Sequence, residues 1–184
     1  MDANIVDLGP KLFNVLIGAG CDIDRRNNAG RTPLTSIICQ LCVQPNHLKL
    51  CVRAHVKAYD NAVRFFMLLI ERGCVVDQID ALDETPLIQA ASAGIEWIIQ
   101  TLINVGCNVN YANSKGHTAL MDTALHNQVK AAQMLINNGA SVNSACIKGN
   151  TALMLAAHRG DHQIVKILLD ANANPNITNQ RGIT

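Results

Sequence analysis

The sequence repeats itself with a period of 33 residues, and this period constrains the fold more than any other feature. Threonine recurs at this spacing, except that 53 residues separate the first copy from the second. That longer interval is one period plus an insertion of about 20 residues. The recurring threonines are Thr32, Thr85, Thr118, Thr151 and Thr184. A chain made of such short copies is expected to fold as a stack of like units.

Two further sets of equivalent residues, one residue from each copy, share the period and the insertion. We call each set a column, and each has a physical role. Threonine caps a helix N-terminus, glycine ends a helix in the left-handed conformation, and Asp or Asn opens a turn. The columns predict a unit of helix, turn, helix and extended hairpin, with starts near the threonines. The second column is Gly20, Gly73, Gly106, Gly139 and Asn172, and the third is Asp24, Asp77, Asn110, Asn143 and Asn176.

One complete copy carries the features that identify the repeat. Its residues are Gly149, Thr151-Ala152-Leu153, Ala156-Ala157 and Gly160, followed by Leu168-Leu169 and Pro175-Asn176. This pattern resembles the ankyrin repeat. The resemblance implies an all-α ankyrin-repeat solenoid of stacked antiparallel helix pairs with hairpin loops, one repeat carrying the insertion. The predicted spans are a partial repeat 1 (1–27), repeat 2 with the insertion (28–80), repeats 3 (81–113), 4 (114–146) and 5 (147–179), and the start of repeat 6 (180–184).

Both ends and the insertion lead to further expectations. Neither end supplies the polar terminal repeat that a solenoid needs, so we interpret the chain as a piece of a longer array. A single helix is expected near residues 11–17, before the first complete pair. The insertion, about residues 43–61, should leave the stack, because an excursion of this length does not fit between two paired helices.

Composition excludes several function classes. The net charge is +1 and charged residues are 16% of the chain, so we expect no nucleic-acid partner. The longest apolar run, residues 65–70, is too short to enter a membrane as a spanning helix. The 7 cysteines have no disulfide framework, which favours reduced thiols in the cytoplasm or nucleus. No phosphate loop, nucleophile elbow or zinc-protease motif occurs, so we expect that the chain is not an enzyme and has no cofactor. We also expect it to be a monomer.

The resemblance implies a protein-binding scaffold whose concave face is built from hairpin tips and first helices. Exposed apolar and basic residues at these positions would suit a partner with hydrophobic anchors and some acidic character. The alternatives are a regulatory or targeting region of an enzyme whose catalytic domain lies elsewhere, or a zinc- or redox-responsive array. The predicted partner-binding residues are Arg31, Leu82, Glu84, Lys115, His117, Leu125, His126, Ile147, Lys148, Asn150, His158 and Arg159.

The zinc alternative depends on residues in and before the insertion. Cys39, Cys42, His47 and Cys51 have a spacing that can coordinate zinc tetrahedrally. The competing interpretation is that Cys39 and Cys42 continue the first helix of repeat 2.

The remaining cysteines have positional interpretations. Cys21, Cys74 and Cys107 follow the helix-ending glycine where later repeats have alanine, so all three are expected to be small buried substitutes. Cys146 takes a turn position that is Asn or Asp in the other repeats, so we expect it to be exposed.

The resemblance also implies a modification, because ankyrin repeats include substrates of a cytosolic asparaginyl hydroxylase. The matching pattern is a hairpin asparagine with leucine eight residues before it and valine directly before it. Asn110 and Asn143 fit, whereas Asn176 follows Pro175. The alternative is that these asparagines only bond their own turn.

Overall fold

The computed structural model describes residues 15, 18–43 and 52–184 of the chain. The chain divides into two compact units, one ending at Pro86 and the other beginning at Leu87. The described residues form eight helices, and their extended segments make only single bridge pairs. None of these eight helices is both long and apolar enough to cross a bilayer. The single helix expected near residues 11–17 lies largely outside the described residues.

In the first unit, α1 (Pro33–Val43) packs against α2 (Val52–Glu71). Apolar residues on α2 recur at the three- and four-residue spacing of one helix face, and they meet a matching face of α1. Residues 52–61 of the predicted insertion belong to α2, which the insertion therefore lengthens, and residues 44–51 lie outside the described residues. The buried core residues are Leu34, Ile37, Ile38 and Leu41 of α1 and Ala62, Phe65, Phe66 and Leu69 of α2.

Helix pairs account for most of the second unit. The first helices α5 and α7 lie side by side, and the second helices α4, α6 and α8 form the adjoining layer. Small side chains such as Ala124, Ala132 and Ala156 are fully buried between these layers and allow the close approach. The helices are α3 (Pro86–Ala93), α4 (Glu96–Asn104), α5 (Ala119–Leu125), α6 (Val129–Asn137), α7 (Ala152–Arg159) and α8 (His162–Asp170).

The repeated threonines start the first helices, as the sequence predicts. Thr118 and Thr151 each accept a bond from the backbone N–H three residues on, at 3.4 Å. Thr32 makes the same contact with the N–H of Thr35 at 3.2 Å. All three are buried, so the bond satisfies helix-end donors that water does not reach.

Successive hairpins of the second unit are bonded edge to edge. The N–H of Ile147 donates to the carbonyl of Lys115 at 3.0 Å, and the N–H of Gln180 donates to the carbonyl of Lys148 at 3.1 Å. Gly116 permits this approach, because a Cβ there would lie 2.9 Å from the Cα of the next hairpin. The hairpins therefore hold the positions of the side chains at their tips.

Candidate partner-binding face

The hairpin tips of repeats 4 and 5 present an apolar side chain between two lysines. Ile147 is 60% exposed, although its backbone is bonded to the preceding hairpin at Lys115. Lys115 and Lys148 are both exposed. We use the name hairpin face for these tips together with the C-terminal ends of α5 and α7.

The helix ends add more basic groups to the hairpin face. His126, which ends α5, is exposed, and Leu125 before it is half-buried. His158 and Arg159 lie exposed in the last turn of α7. The Nε of Arg159 lies 3.5 Å from a carboxylate oxygen of Asp161, which neutralises part of the positive charge at this helix end.

Leu82 and Glu84, two of the three predicted residues in the first unit, belong to the hairpin that ends it. Leu82 is 67% exposed at a hairpin tip. Glu84 is partly exposed, and its N–H donates to the carboxylate of Asp80 at 3.2 Å, as does the N–H of Leu82 at 2.8 Å. The buried Asp80 therefore fixes the backbone that presents both side chains.

Three other predicted residues make contacts within the fold. Arg31 places its Nε 3.9 Å from the Asp80 carboxylate. The Oδ1 of Asn150 accepts a bond of 2.7 Å from the Asn179 amide. His117 points its Nδ1 at a carboxylate oxygen of Asp122, 3.8 Å away. These side chains sit at the foot of the hairpins and connect structural elements, which gives them a structural role that the repeat pattern alone does not reveal.

Asp122 is a site residue that the sequence analysis missed. It lies in the first turn of α5 and is 9% exposed. Burial raises the pKa of its carboxyl group, and the neighbouring His117 and His126 act in the opposite direction. One feature of the sequence could have identified Asp122, because the equivalent positions in the other repeats carry no charge. Those positions are Ser36, Gln89 and Leu155.

The ring of His126 connects two elements of the second unit. Its Nδ1 lies 2.9 Å from the backbone carbonyl of Asp122 and 3.2 Å from the Oγ of Ser92 on α3. Because a carbonyl can only accept, Nδ1 carries the proton in this contact and Nε2 is left for other partners. His126 is thus held in one orientation beside the buried carboxylate.

Two of the four candidate zinc ligands lie among the residues that the structure describes. Cys39 and Cys42 lie half-buried in α1, whereas His47 and Cys51 are outside the described residues. Burial, together with the nearby Cys39, raises the pKa of the Cys42 thiol to about 11. Because two of its four ligands lie outside the described residues, the zinc hypothesis stays a prediction.

Two cysteines differ from the sequence expectation. Cys74 and Cys107 are buried as expected, but Cys21 in the same column is exposed, so burial is not a general property of this position. Cys146 was expected to be exposed and is buried. The physical reason is that the Gly116 turn of the preceding hairpin lies directly against its backbone.

The asparagines proposed for modification bridge successive repeats. The Nδ2 of Asn110 donates to the carbonyl of Gly139 at 3.0 Å. The equivalent bond from Asn143 to the carbonyl of Asn172 is 3.4 Å long. Both side chains are exposed beside these bonds. The alternative that these residues only bond their own turn is wrong, because both side chains bond to the backbone of the next repeat. In the first of these turns, the Oδ1 of Asn108 accepts the N–H of Asn110 at 3.0 Å.

Comparison with known proteins gives one family. The model of ankyrin repeats (3 copies) matches residues 48–146 and 105–179. Together the matches span more than half of the 184 residues. No curated protein matches the sequence.

Proposed function

Because the chain belongs to the family of ankyrin repeats, which are generally protein–protein interaction modules, we propose that it binds a partner protein through the hairpin face. The partner we propose carries apolar anchors and acidic side chains. The main support is Ile147, an apolar side chain that is 60% exposed at a position fixed by a backbone hydrogen bond. A rigid exposed anchor loses little conformational entropy on binding, which favours affinity.

The charges around Ile147 support the acidic character of the partner. Lys115 and Lys148 flank it, and His158 and Arg159 follow on α7. The segments 112–126 and 145–159 contain one carboxylate, Asp122, and it is buried. An acidic partner would therefore meet positive potential across the hairpin face, which raises its association rate and disfavours basic competitors.

We infer that binding, rather than catalysis, is the function of this face. Ser92, His126 and Asp122 lie together, which raises the question of a catalytic triad. In a triad, the carboxylate orients the histidine through Nδ1, and Nε2 contacts the serine. Here the same Nδ1 lies near the Ser92 hydroxyl and near the main-chain carbonyl of Asp122. This geometry differs from that of a triad and supports a role of the contacts in holding the ring in place.

The test compares two fluorescein-labelled peptides, one of alternating leucine and glutamate and one of alternating leucine and lysine. The acidic peptide should bind the full chain more tightly in fluorescence anisotropy. Ile147→Ser should weaken this binding by about tenfold, the effect of losing an anchor residue. Val105→Ser is the matched control, because Val105 is a 45% exposed apolar residue that follows α4, away from the hairpin tips. Equal binding of the two peptides, or equal effects of the two substitutions, would reject the proposal.

A further inference from the structure

A polar cluster lies at the foot of the repeat 4 hairpin. His117 comes from the hairpin, Asp122 from the first turn of α5, and His126 from the end of α5. His117 approaches the Asp122 carboxylate at 3.8 Å, and the His126 ring contacts the Asp122 carbonyl at 2.9 Å. The Oγ of Ser92 on α3 lies 3.2 Å from Nδ1, the same nitrogen of the His126 ring. The two imidazoles thus flank one buried acid.

Three segments of the second unit lie beside the cluster, and together they contain a single carboxylate. The segments 86–93, 112–126 and 145–159 form the neighbouring helices and hairpins, and their only carboxylate is Asp122. Their charged groups besides the cluster are Lys115 and Lys148 on the hairpins and His158 and Arg159 on α7. Asp161, just after α7, pairs with Arg159. The charge of the cluster therefore depends on the protons held by His117, His126 and Asp122.

We propose that the His117–Asp122–His126 cluster makes the hairpin face a proton-dependent docking site that binds its acidic partner more tightly at pH 6 than at pH 8. This inference rests on the proposed function, since it concerns the same face and partner class. With neutral rings, the Asp122 carboxylate repels an acidic side chain brought to the foot of the hairpin. With charged rings, the cluster attracts that side chain instead.

The three groups are linked through Asp122. Positive charge on the His117 and His126 rings favours the ionised form of its carboxyl group. The direction found for Asp122 agrees with this picture, because burial raises the pKa of its carboxyl while both histidines oppose the rise. Asp122 thus acts as a positioning residue that lies beside both rings. Because it is buried, a partner does not need to contact it.

The experiment measures the affinity of the full chain for the peptide of alternating leucine and glutamate at pH 8 and pH 6. Glutamate side chains stay ionised between these values, so a change in affinity reports on the protein. We expect binding about threefold to tenfold tighter at pH 6, the scale of two partly exposed charge contacts. Asp122→Asn, which keeps the side-chain shape, should bind more tightly than the unchanged chain at pH 8 and depend less on pH.

A second variant and a control keep the test decisive. The double variant His117→Gln/His126→Gln should lose most of the pH dependence. It provides the test if Asp122→Asn does not fold. His162→Gln is the control, because His162 is exposed on α8 and lies outside the hairpin face. Equal affinity at both pH values, or unchanged pH dependence in the cluster variants, would overturn this inference alone. Failure of the peptide to bind at either pH would overturn the proposed function, and this inference with it.

Discussion

The side chain of Asn110 holds Ser141 of the following repeat, with its Oδ1 accepting the Ser141 backbone N–H at 2.7 Å. The same contact recurs one repeat later between Asn143 and Asn174, also at 2.7 Å. In the first unit, Asp24 accepts the N–H of Val75 at 2.9 Å. A column identified in the sequence as a turn residue is therefore a repeat-to-repeat connector. Such nearest-neighbour contacts are the main source of cooperativity in repeat proteins.

Replacing Asn110 with alanine should destabilise the chain by about 1–2 kcal/mol, because two hydrogen bonds to the next repeat are lost. The Gly139 carbonyl and the Ser141 N–H must then form hydrogen bonds with water instead. Urea unfolding followed by circular dichroism measures the change. Asn176→Ala is the matched control from the same column, since the structure shows no side-chain bond of this kind for Asn176 among the described residues. A loss of equal size in the control would contradict the connector role.

Replacing Cys146 with asparagine should stabilise the chain by about 0.5–1.5 kcal/mol. In the preceding hairpin, the Oδ1 of Asn113 accepts the N–H groups of Lys115 at 3.0 Å and His117 at 2.9 Å. Cysteine at this position has no such oxygen. The same urea experiment measures the gain, and Cys146→Ala is the control, because it removes the sulfur without supplying an acceptor. Asparagine and alanine variants of equal stability would show that the missing acceptor is unimportant.

The helix-ending column allows a test of backbone conformation without a steric clash. Gly139 has a φ of +85°, and a Cβ added there would meet nothing within 4 Å. Gly139→Val should still cost more than about 1 kcal/mol, because a β-branched residue is strained at positive φ. Asn172 has a φ of +61°, and Asn172→Gly should be neutral or stabilising by a few tenths of a kcal/mol. Thermal unfolding of both variants should separate them, and similar behaviour would exclude this role for the column.

Two cysteines of one column should differ in reactivity towards iodoacetamide. Burial, and to a smaller extent the negative charge of the nearby Asp24, raises the pKa of the Cys74 thiol to about 12. The thiol is therefore protonated at pH 8, and it is also buried. Cys21 is exposed and should be alkylated first, as peptide mass spectrometry can show. In urea both should react alike, which provides the internal control. Equal labelling of the two thiols in the folded chain would contradict the described burial of Cys74.

The sequence predicted the helix starts because the threonine cap is a local feature, set by one side chain and a backbone N–H three residues away. It did not predict the contacts of Asn110, since its partners lie 29 and 31 residues along the chain and depend on how repeats stack. The burial of Cys146 was missed for the same reason. The apolar run 65–70 was visible in the sequence, but the insertion obscured that α2 extends back to Val52.

The candidate face was predicted in part. The family pattern identified Ile147 and Lys148 as tip positions, and the structure exposes both. It could not distinguish them from Asn150, which occupies a variable position but bonds to the next hairpin. Variable positions follow from the repeat alone, whereas the contacts of a side chain depend on its particular neighbours. The His117–Asp122–His126 cluster needed coordinates, because His117 meets Asp122 only after the hairpin folds back on α5.

Hydroxylation is expected at the hairpin asparagines that follow valine. Co-expression with the cytosolic asparaginyl hydroxylase should add one oxygen to Asn110 or Asn143 and leave Asn176 unmodified. Both preferred residues have leucine eight positions earlier and valine directly before them, while Asn176 follows Pro175. Peptide mass spectrometry of the purified chain identifies the modified residue.

The structure adds an expected order between the two preferred sites. An enzyme must free the side chain from the next repeat, which requires local opening of the hairpin. The Nδ2 of Asn143 lies 3.4 Å from its acceptor, against 3.0 Å for Asn110, so the Asn143 bond is the weaker. Asn143 should therefore be modified faster, and Asn172→Gly should leave this order unchanged, because its carbonyl remains. Modification of Asn176 while Asn110 and Asn143 stay unmodified would show that freedom from the next repeat, rather than the preceding valine, selects the site.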